Sequence, residues 1–216
     1  MRNALDLHEP ISQDDWPEAR PLRVSVDRNA RAQIKFQRPA CLWLTGLSGA
    51  GKSTVAELLE WALHKKGHHT YILDGDLMRN GLCSDLGFST DDRVEQSRRV
   101  TQTARMMVDA GLIVIVAVIS PFRKEREKAR SSFGPSEFIE IYVDTPLATC
   151  ERRDVKGLYR KARENKISDF TGISSPYEPP ENPEVTLHCG VETPVESVER
   201  VLDALRNFEI ISGETA

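Results

Sequence analysis

The feature that most constrains the fold is a glycine-rich loop between a strand pattern and a helix pattern. Residues 46–54 read GLSGAGKST, which matches G-x-x-x-x-G-K-[ST]. The loop follows a short apolar run at 41–45 and precedes residues 53–66, where apolar positions recur at helical spacing. Glycines let successive backbone N–H groups point inward at phosphate oxygens, and the helix start adds positive charge. The motif predicts an α/β domain that binds a nucleoside triphosphate.

Each part of this loop has an expected role. Lys52 is expected to reach the terminal phosphates, and Ser53 is expected to bind Mg²⁺. The remaining residues expected to hold the triphosphate are Gly46, Ser48, Gly49, Ala50, Gly51 and Thr54. An ordinary Gly/Ser turn is the alternative, and the strand–loop–helix context disfavours it.

The rest of the chain alternates strand and helix patterns. Apolar runs predict strands at 41–45, 70–73, 112–119, 138–143 and 185–188. Helices are predicted at 53–66, 77–80, 89–110 and 193–208. Ser120 followed by Pro121 predicts a further helix, with Ser120 as its N-cap. The pattern predicts three layers, with a mostly parallel five-stranded sheet flanked by helices.

The first 38 residues are the least patterned part of the chain. They carry scattered prolines and mixed charges, with one short helical stretch near 27–36. We therefore predict an N-terminal arm at 1–38 and a single domain at 39–210. The first residues have no apolar segment and carry acids early, which predicts that they are not a secretory signal.

Composition excludes several classes of protein. Lys and Arg number 29 and Asp and Glu 33, a net charge of −4 that argues against a nucleic-acid partner. The longest apolar run, 112–119, is far shorter than the roughly twenty residues of a membrane-spanning helix. The four cysteines, which are Cys41, Cys83, Cys150 and Cys189, form no CxxC pair. We expect reduced thiols, no zinc site and a cytoplasmic protein.

Two carboxylates close the second predicted strand. Asp74 and Asp76 lie two residues apart and should face the carboxyl edge of the sheet, where ligands of open α/β folds bind. One can orient Mg²⁺ through water, and the other can accept a proton from an attacking hydroxyl. A helix-capping role for Asp76 is the alternative. Residues 165–168 (NKIS) lack the aspartate of a guanine-reading motif, so a small kinase remains the leading class.

Basic residues are concentrated in two places. Four arginines follow the acid pair and suggest recognition of a second anionic group, although at least one should be a surface charge; they are Arg79, Arg93, Arg98 and Arg99. Segment 152–166 carries seven basic and two acidic residues. It is either a solvated helix face or a lid with hinges at Gly157 and Gly172. The proline-rich stretch at 170–183 is too long to be a mere connector.

Seven sequence blocks occur in a characteristic order: GLSGAGKST, LDGD-x-x-R, LGF-x-x-x-DR, ISPFR, CERRDVKGLYRKAR, FTGI and PYEPPENPE. Together they resemble the adenylylsulfate kinase (adenosine-5′-phosphosulfate kinase) family over roughly residues 40–207. The resemblance implies a P-loop kinase fold. It also implies transfer of the γ-phosphate of ATP to the 3′-hydroxyl of adenylylsulfate, giving 3′-phosphoadenylylsulfate and ADP in sulfate activation. Mg²⁺, a cytoplasmic homodimer and, because the family includes fusions, coupling to ATP sulfurylase are further implications.

The resemblance also implies residue roles. Arg153 would lie against the ATP adenine, and Asp76 would sit at the 3′-hydroxyl with Asp74 nearer the metal. The residues implied to bind adenylylsulfate are Asp76, Arg79, Phe88, Arg93, Gln96, Ile119, Ser120, Lys156 and Phe170. Among these, two arginines would bind the phosphosulfate, two phenylalanines would flank the acceptor adenine, and the lysine would belong to the closing lid.

Three positions depart from the family pattern. Leu77 and Gln96 stand where the family usually has Asn, and Ser174 stands where it has Asp. The longer amide of Gln96 predicts that Gln96→Asn lowers the KM for adenylylsulfate. The family's Ser120 has been proposed as a phosphorylated intermediate, but the sequence offers it no adjacent base, so we expect direct transfer. A kinase of another small hydroxylated metabolite and a non-catalytic nucleotide-binding module are the alternative functions.

Overall fold

A five-stranded sheet forms the centre of the molecule. The structure, a computed structural model, describes residues 26–212, so residues 1–25 of the predicted arm lie outside the described residues. The strands are β1 (Ala40–Thr45), β2 (Thr70–Asp74), β3 (Ile113–Ala117), β4 (Phe138–Val143) and β5 (Val185–Leu187). They pair in the order β2-β3-β1-β4-β5, and every pair is parallel. The predicted sheet is confirmed.

Helices connect the strands and cover the sheet. Those of the described part are α1 (Arg28–Ile34), α2 (Lys52–Lys65), α3 (Gly75–Asn80), α4 (Thr90–Asp109), α5 (Arg123–Arg130), α6 (Leu147–Arg153), α7 (Leu158–Arg163) and α8 (Pro194–Asn207). Helices α2 and α8 pack together on one face of the sheet, and α4 packs on the other face and against α5. This arrangement is the three-layer fold that the sequence pattern predicted.

Alternate residues of β1 serve two separate cores. Leu42 and Leu44 belong to the core under α2 and α8, whereas Cys41 and Trp43 belong to the core under α4. Side chains of a strand alternate between the two faces, and both faces are covered here. This explains why the strands read as continuous apolar runs rather than as apolar–polar alternation.

Two of the three predicted N-cap residues are confirmed. Ser89 and Thr193 each accept from the backbone N–H three residues on, and Asp92 and Glu196 complete the two capping boxes. Residues of this type satisfy N–H groups that a helix start leaves without partners.

The predicted N-cap at Ser120 is wrong. Helix α5 begins at Arg123, and its N-cap, Phe122, makes no side-chain cap bond. Ser120 instead has a φ of +39°, and its Oγ accepts from the Trp43 Nε1 at 3.0 Å. The buried indole N–H needs an acceptor, and Ser120 Oγ provides it. This demand outweighs helix capping.

Residues 26–212 include all four cysteines and were searched for helices that could span a membrane. Cys41, Cys83, Cys150 and Cys189 are free thiols and all are buried. Within the same residues, no helix combines the length and the apolar character needed to span a bilayer.

Candidate active site

The carboxyl ends of the central strands open into a cavity of about 1100 Å³. Its lining brings together most of the residues singled out from the sequence. These are Ser48, Gly49, Gly51, Lys52, Ser53, Thr54, Asp74, Asp76, Arg79, Phe88, Arg93, Gln96, Ile119, Ser120, Arg153, Lys156 and Phe170. Gly46 and Ala50 belong to the same loop but lie outside this lining, and Ala50 is fully buried.

The phosphate loop is shaped by its backbone. Gly49 and Gly51 have φ values of +71° and +115°, a region that side chains disfavour. At Gly46 a Cβ would lie 2.6 Å from the carbonyl oxygen of Val143, so only glycine fits. Thr145 Oγ1 donates to the carbonyl of Ala50 at 2.8 Å and so fixes the middle of the loop. The loop therefore has its shape before any ligand binds.

Lys52 lies at the bottom of the cavity. Its Nζ donates to the carbonyl oxygens of Gly46 at 3.0 Å and Leu47 at 2.7 Å. Burial lowers the pKa of Lys52 to about 8, because removing the ammonium from water penalises its charged form. A cation that is poorly solvated by water gains most from phosphate oxygens placed beside it.

Asp74 links the phosphate loop to α3. Its Oδ2 accepts from Ser53 Oγ at 2.8 Å, and its Oδ1 accepts from the backbone N–H of Asp76 at 2.9 Å. Asp74 is thus the N-cap of α3, and Asp76 lies in the first turn. The alternative reading, in which Asp76 caps this helix, is wrong because the helix begins one residue before it. The Asp76 side chain is exposed to the cavity instead.

The Ser53 and Asp74 oxygens suit Mg²⁺. No group of three or more His, Cys, Asp or Glu side chains able to hold a metal occurs within residues 26–212. Mg²⁺ typically uses one or two protein oxygens together with water and substrate phosphates. A hydroxyl and a carboxylate 2.8 Å apart beside the phosphate loop provide such a donor set. They fit an ion that binds together with the triphosphate.

The basic segment at 152–166 contains the end of α6, a turn at 154–157 and all of α7. Asp154 has a φ of +26°, and its carboxylate accepts from the N–H groups of Tyr159 and Arg160, at 2.9 and 3.1 Å. Tyr159 packs edge-on against Phe170, with ring centroids 5.0 Å apart, and its hydroxyl donates to the Ser48 carbonyl at 2.9 Å. The turn is therefore tied to the phosphate loop.

Two cations of this segment point into the cavity. Lys156 Nζ pairs with Asp76 Oδ2. Arg153 donates to the carbonyls of Gly49 and Ala50, both at 3.3 Å, and of Cys189 at 2.6 Å. A solvated helix face therefore describes only part of the segment.

One wall of the cavity is formed by Arg79, Phe88, Arg93 and Gln96. Arg79 and Gln96 form a side-chain pair in this wall. The Arg79 guanidinium lies 4.3 Å from the centre of the Phe88 ring and donates to the carbonyl of Gly87 at 2.7 Å. Gln96 Oε1 accepts from Arg79 at 2.5 Å. Partial burial lowers the pKa of Arg79. The orientation of this arginine is fixed by a ring, a carbonyl and an amide.

Arg93 joins the same wall to the FTGI block. It donates to Thr171 Oγ1, the carbonyl of Asp169 and, at 2.9 Å, the carbonyl of Phe88. The other two arginines singled out from the sequence lie outside the cavity lining. Arg98 and Arg99 both bind Glu95, which makes them surface charges.

Sequence reasoning missed several side chains that shape the cavity. Thr171 lies in a block that was recognised, so its role could have been suspected. Trp43 gave a weaker signal: an indole N–H within a buried run requires a partner. Arg126 gave none, because an arginine on a highly charged helix normally faces solvent.

Comparison with known proteins gives consistent matches. The family model described as Adenylylsulphate kinase matches residues 38–188. The Adenylyl-sulfate kinase of Shewanella sp. (strain MR-4) is 55% identical over 188 residues, covering 87% of this chain and 92% of that protein. The Bifunctional enzyme CysN/CysC of Xylella fastidiosa is 56% identical over 182 residues, which are 84% of this chain. The chain spans only 29% of the length of that bifunctional relative.

A solved structure is also similar. The structure of the Mycobacterium tuberculosis APS kinase CysC in complex with AMPPNP and APS has a TM-score of 0.76 and 46% sequence identity. The match covers 79% of this chain and 99% of that chain.

Proposed function

We propose a reaction from one premise: the chain belongs to the adenylylsulfate kinase family. The chain transfers the γ-phosphate of ATP to the 3′-hydroxyl of adenylylsulfate, giving 3′-phosphoadenylylsulfate and ADP. The observation that carries the proposal is the cavity itself. It joins a phosphate loop to a carboxylate, Asp76, and to a wall of arginines that suits an acceptor which is itself an anion.

The ATP half of the site is assigned to the phosphate loop. The loop residues hold the triphosphate by their N–H groups, and Lys52 neutralises charge on the transferring phosphate. Arg153, which donates to the carbonyls of Gly49, Ala50 and Cys189 and lines the cavity, is assigned to the ATP adenine. Ser53 and Asp74 would hold Mg²⁺, which neutralises phosphate charge when bound.

The acceptor half is assigned to the cavity wall that carries the two arginines, which we call the acceptor wall. Arg79 and Arg93 bind the phosphosulfate end of adenylylsulfate, and Phe88 and Phe170 flank its adenine. Phe88 already carries Arg79 on one face, so a purine on the other face would complete a stack of cation, ring and base. Lys156 adds positive charge beside Asp76, near the point where the hydroxyl and the γ-phosphate meet.

The transfer is direct. Asp76 accepts the proton of the 3′-hydroxyl as its oxygen bonds to the γ-phosphorus, and the bond from that phosphorus to the bridging oxygen breaks. The electron pair of that bond leaves with ADP. Ser120 is a poor nucleophile here because its Oγ accepts a hydrogen bond from Trp43 at 3.0 Å. No His or Lys donates to or accepts from that oxygen among the contacts of residues 26–212.

Replacing Ser120 by alanine tests the direct route. We expect Ser120→Ala to retain substantial turnover and to lose about 1–3 kcal/mol of unfolding free energy, because the buried Trp43 N–H loses its acceptor. Turnover and chemical denaturation of the same preparation measure both effects. A phosphoserine at position 120 that forms and decays at the rate of turnover, with an inactive alanine variant, would overturn the direct route.

Assembly and cellular context are also proposed. The chain acts as a cytoplasmic homodimer. Leu58 and Trp61 support association, since they are 37% and 62% exposed on one face of α2. The bifunctional relative, in which this region is 29% of the length, supports coupling to a second activity, which we propose is ATP sulfurylase. Light scattering of the wild type and of Trp61→Glu would measure the association.

A coupled assay for ADP release tests the reaction. With MgATP, we expect adenylylsulfate to raise ADP production by the wild type and not by Lys52→Ala. Release that depends instead on another hydroxylated metabolite would indicate a different small-molecule kinase. MgATP binding with no turnover on any acceptor would indicate a non-catalytic module. Circular dichroism of both proteins confirms that the comparison is made between folded chains.

A further inference from the structure

Arg126 is a charged side chain that the reaction described above does not use. It lies on α5, and only 2% of its side chain is exposed. Its Nε donates to Glu140 Oε1 on β4 at 2.7 Å. Arginine is almost never buried to this degree without a complete set of partners. The two terminal nitrogens of Arg126 also have partners, and these belong to two different loops.

Both terminal nitrogens of Arg126 donate to backbone carbonyls. One donates to the carbonyl of Ser120 at 2.7 Å, and the other to the carbonyl of Glu178, also at 2.7 Å. Ser120 belongs to the turn of residues 119–121, which lines the cavity, and Glu178 belongs to the proline-rich loop. A single guanidinium therefore joins the sheet, the cavity turn and that loop.

The cavity turn needs such support. Ser120 has a φ of +39°, a region that non-glycine residues adopt only when their surroundings enforce it. Two more contacts act on the same turn: Trp43 Nε1 donates to Ser120 Oγ at 3.0 Å, and Thr45 Oγ1 donates to the Ile119 carbonyl at 2.8 Å. Tyr177, whose hydroxyl lies 3.0 Å from Thr45 Oγ1, extends this network to the proline-rich loop.

The turn borders the proposed acceptor pocket. Asp74 pairs in register with Ala117 at the end of β3, two residues before the turn. Gly75 packs against Val118, and a Cβ there would lie 3.5 Å from its side chain. The phosphate loop receives no bond from Arg126. Ile119 and Ser120 of the turn are themselves among the residues that we assign to the acceptor, so a shift of the turn displaces acceptor-binding groups directly. The phosphate loop is held by other contacts, from Thr145 and Tyr159.

We infer that Arg126 is a positioning residue for the acceptor: its fork of three hydrogen bonds holds the turn at 119–121 in the shape that receives adenylylsulfate. The inference rests on the proposed function for the identity of the acceptor. Lysine cannot replace this arginine, because one ammonium cannot reach a carboxylate and two separate carbonyls in a planar fork. Arg126 acts through Ser120 and does not touch the substrates.

Arg126→Lys tests the inference, and Arg130→Gln provides a matched control. Arg130 lies one turn further along α5 and pairs with Glu184 at 2.7 Å and Glu140 at 3.3 Å, but donates to no residue of the cavity turn. We expect Arg126→Lys to raise the KM for adenylylsulfate on the order of 10- to 100-fold, the scale of a displaced binding group, with KM for ATP unchanged. Arg130→Gln should change neither KM. Equal losses of kcat in both variants, with both KM values unchanged, would overturn the inference.

A second variant covers the case in which Arg126→Lys does not fold. Glu140→Gln keeps an oxygen for Arg126 Nε but removes the charge that fixes the guanidinium. It should raise the KM for adenylylsulfate in the same selective way and by a smaller factor. An unchanged KM for adenylylsulfate in a folded Glu140→Gln, where Arg126→Lys fails to fold, contradicts the inference.

The indole N–H resonance of Trp43 gives a readout that does not need activity. The chain has three tryptophans, and Trp43→Phe identifies the resonance by its loss. Arg126→Lys should shift this resonance, because its acceptor Ser120 moves, and Arg130→Gln should not. If the wild type shows no adenylylsulfate-dependent ADP release, the proposed function fails and this resonance still decides the positioning role. An unshifted resonance in a folded Arg126→Lys would refute that role.

Discussion

The two halves of the cavity are built in different ways. The half that we assign to ATP comes from consecutive residues, 46–54, whose backbone is set by glycines and by the start of α2. The half that we assign to the acceptor comes from side chains far apart in the chain. Lys156 and Asp76 are separated by 80 positions, and Arg93 and Thr171 by 78. One half is a local motif, and the other is a product of tertiary structure.

This difference has a consequence for substitutions. A backbone cradle is insensitive to most side-chain changes around it, so we expect the three positions that depart from the family pattern to leave the half assigned to ATP intact. A wall of side chains changes with each residue that supports it, as Gln96 does for Arg79. We therefore expect large effects on catalysis at the junction of the halves, and smaller, selective effects on the acceptor side.

The largest effect is expected at the junction. Asp76→Asn should lower kcat by about 100- to 10,000-fold, since an amide cannot accept the hydroxyl proton. The affinity for MgATP should stay near that of the wild type because the triphosphate is held by the loop. Asp74→Asn is the control, and it should weaken the metal-dependent affinity for ATP. Near-normal turnover in Asp76→Asn, with an inactive Asp74→Asn, would reverse the two roles.

A smaller loss is expected within the ATP half. Lys52→Ala should lower kcat by about 100- to 1000-fold, the scale for removing one preorganised group from the transferring charge. The KM for adenylylsulfate should change little, because Lys52 contacts the carbonyls of Gly46 and Leu47 and not the acceptor wall. Steady-state kinetics with each substrate varied in turn measures this. A selective rise in the acceptor KM would contradict the separation of the two halves.

More of the fold than of the candidate site could be predicted from the sequence. Buried parallel strands and capping boxes are local patterns, and the predicted strand at 112–119 contains the observed β3 (Ile113–Ala117). Local pattern does not predict the start of α5, because Trp43, 77 positions away, donates a hydrogen bond to the Ser120 hydroxyl. Within segment 152–166 the charges do not mark the turn after α6, but the predicted hinge glycine, Gly157, lies in it and is the N-cap of α7.

The site was predictable where it is contiguous or lies within a recognised block. The loop residues and the acid pair follow from spacing alone. The pairs that join distant segments, such as Lys156 with Asp76, leave no periodic signal, and neither does the burial of Arg126. Such contacts depend on which helix faces pack together, and hydrophobic periodicity does not specify the partner.

The affinity for MgATP is expected to depend on pH, because the phosphate loop contains a buried lysine. The pKa of Lys52 is about 8 in the free protein because the side chain is buried. Phosphate charges raise this pKa on binding, so the complex carries more protons than the free protein above about pH 8. Affinity for MgATP should therefore fall as pH rises through this range, by up to about tenfold per pH unit.

Titration calorimetry in buffers of different ionisation enthalpy measures the proton uptake. Lys52→Met, which has no ionisable group at this position, should bind more weakly and take up no proton there. The pH dependence of adenylylsulfate binding should lack this step, because the acceptor wall uses arginines, which stay protonated. Equal proton uptake by wild type and Lys52→Met would assign the effect to another group.

The smallest effect is expected at Gln96, and here the structure changes the expected sign. From the sequence, shortening this amide should improve adenylylsulfate binding. In the structure, Gln96 Oε1 accepts from Arg79 at 2.5 Å, and its Nε2 lies 3.4 Å from the Gly75 carbonyl. The extra methylene allows the amide to reach both groups, so Gln96→Asn withdraws support from Arg79. We expect the KM for adenylylsulfate to rise by the equivalent of about 1 kcal/mol, one hydrogen bond, with KM for ATP unchanged.

Leu77→Asn is the matched control for Gln96→Asn, since it restores the family residue at an exposed position of α3 without touching Arg79. A fall in the acceptor KM of Gln96→Asn would mean that the amide contacts adenylylsulfate itself, as the family resemblance implies. A rise in that variant alone would mean that Gln96 acts through Arg79. The acceptor wall would then be a set of coupled side chains, in which restoring one family residue at a time does not restore the family's affinity.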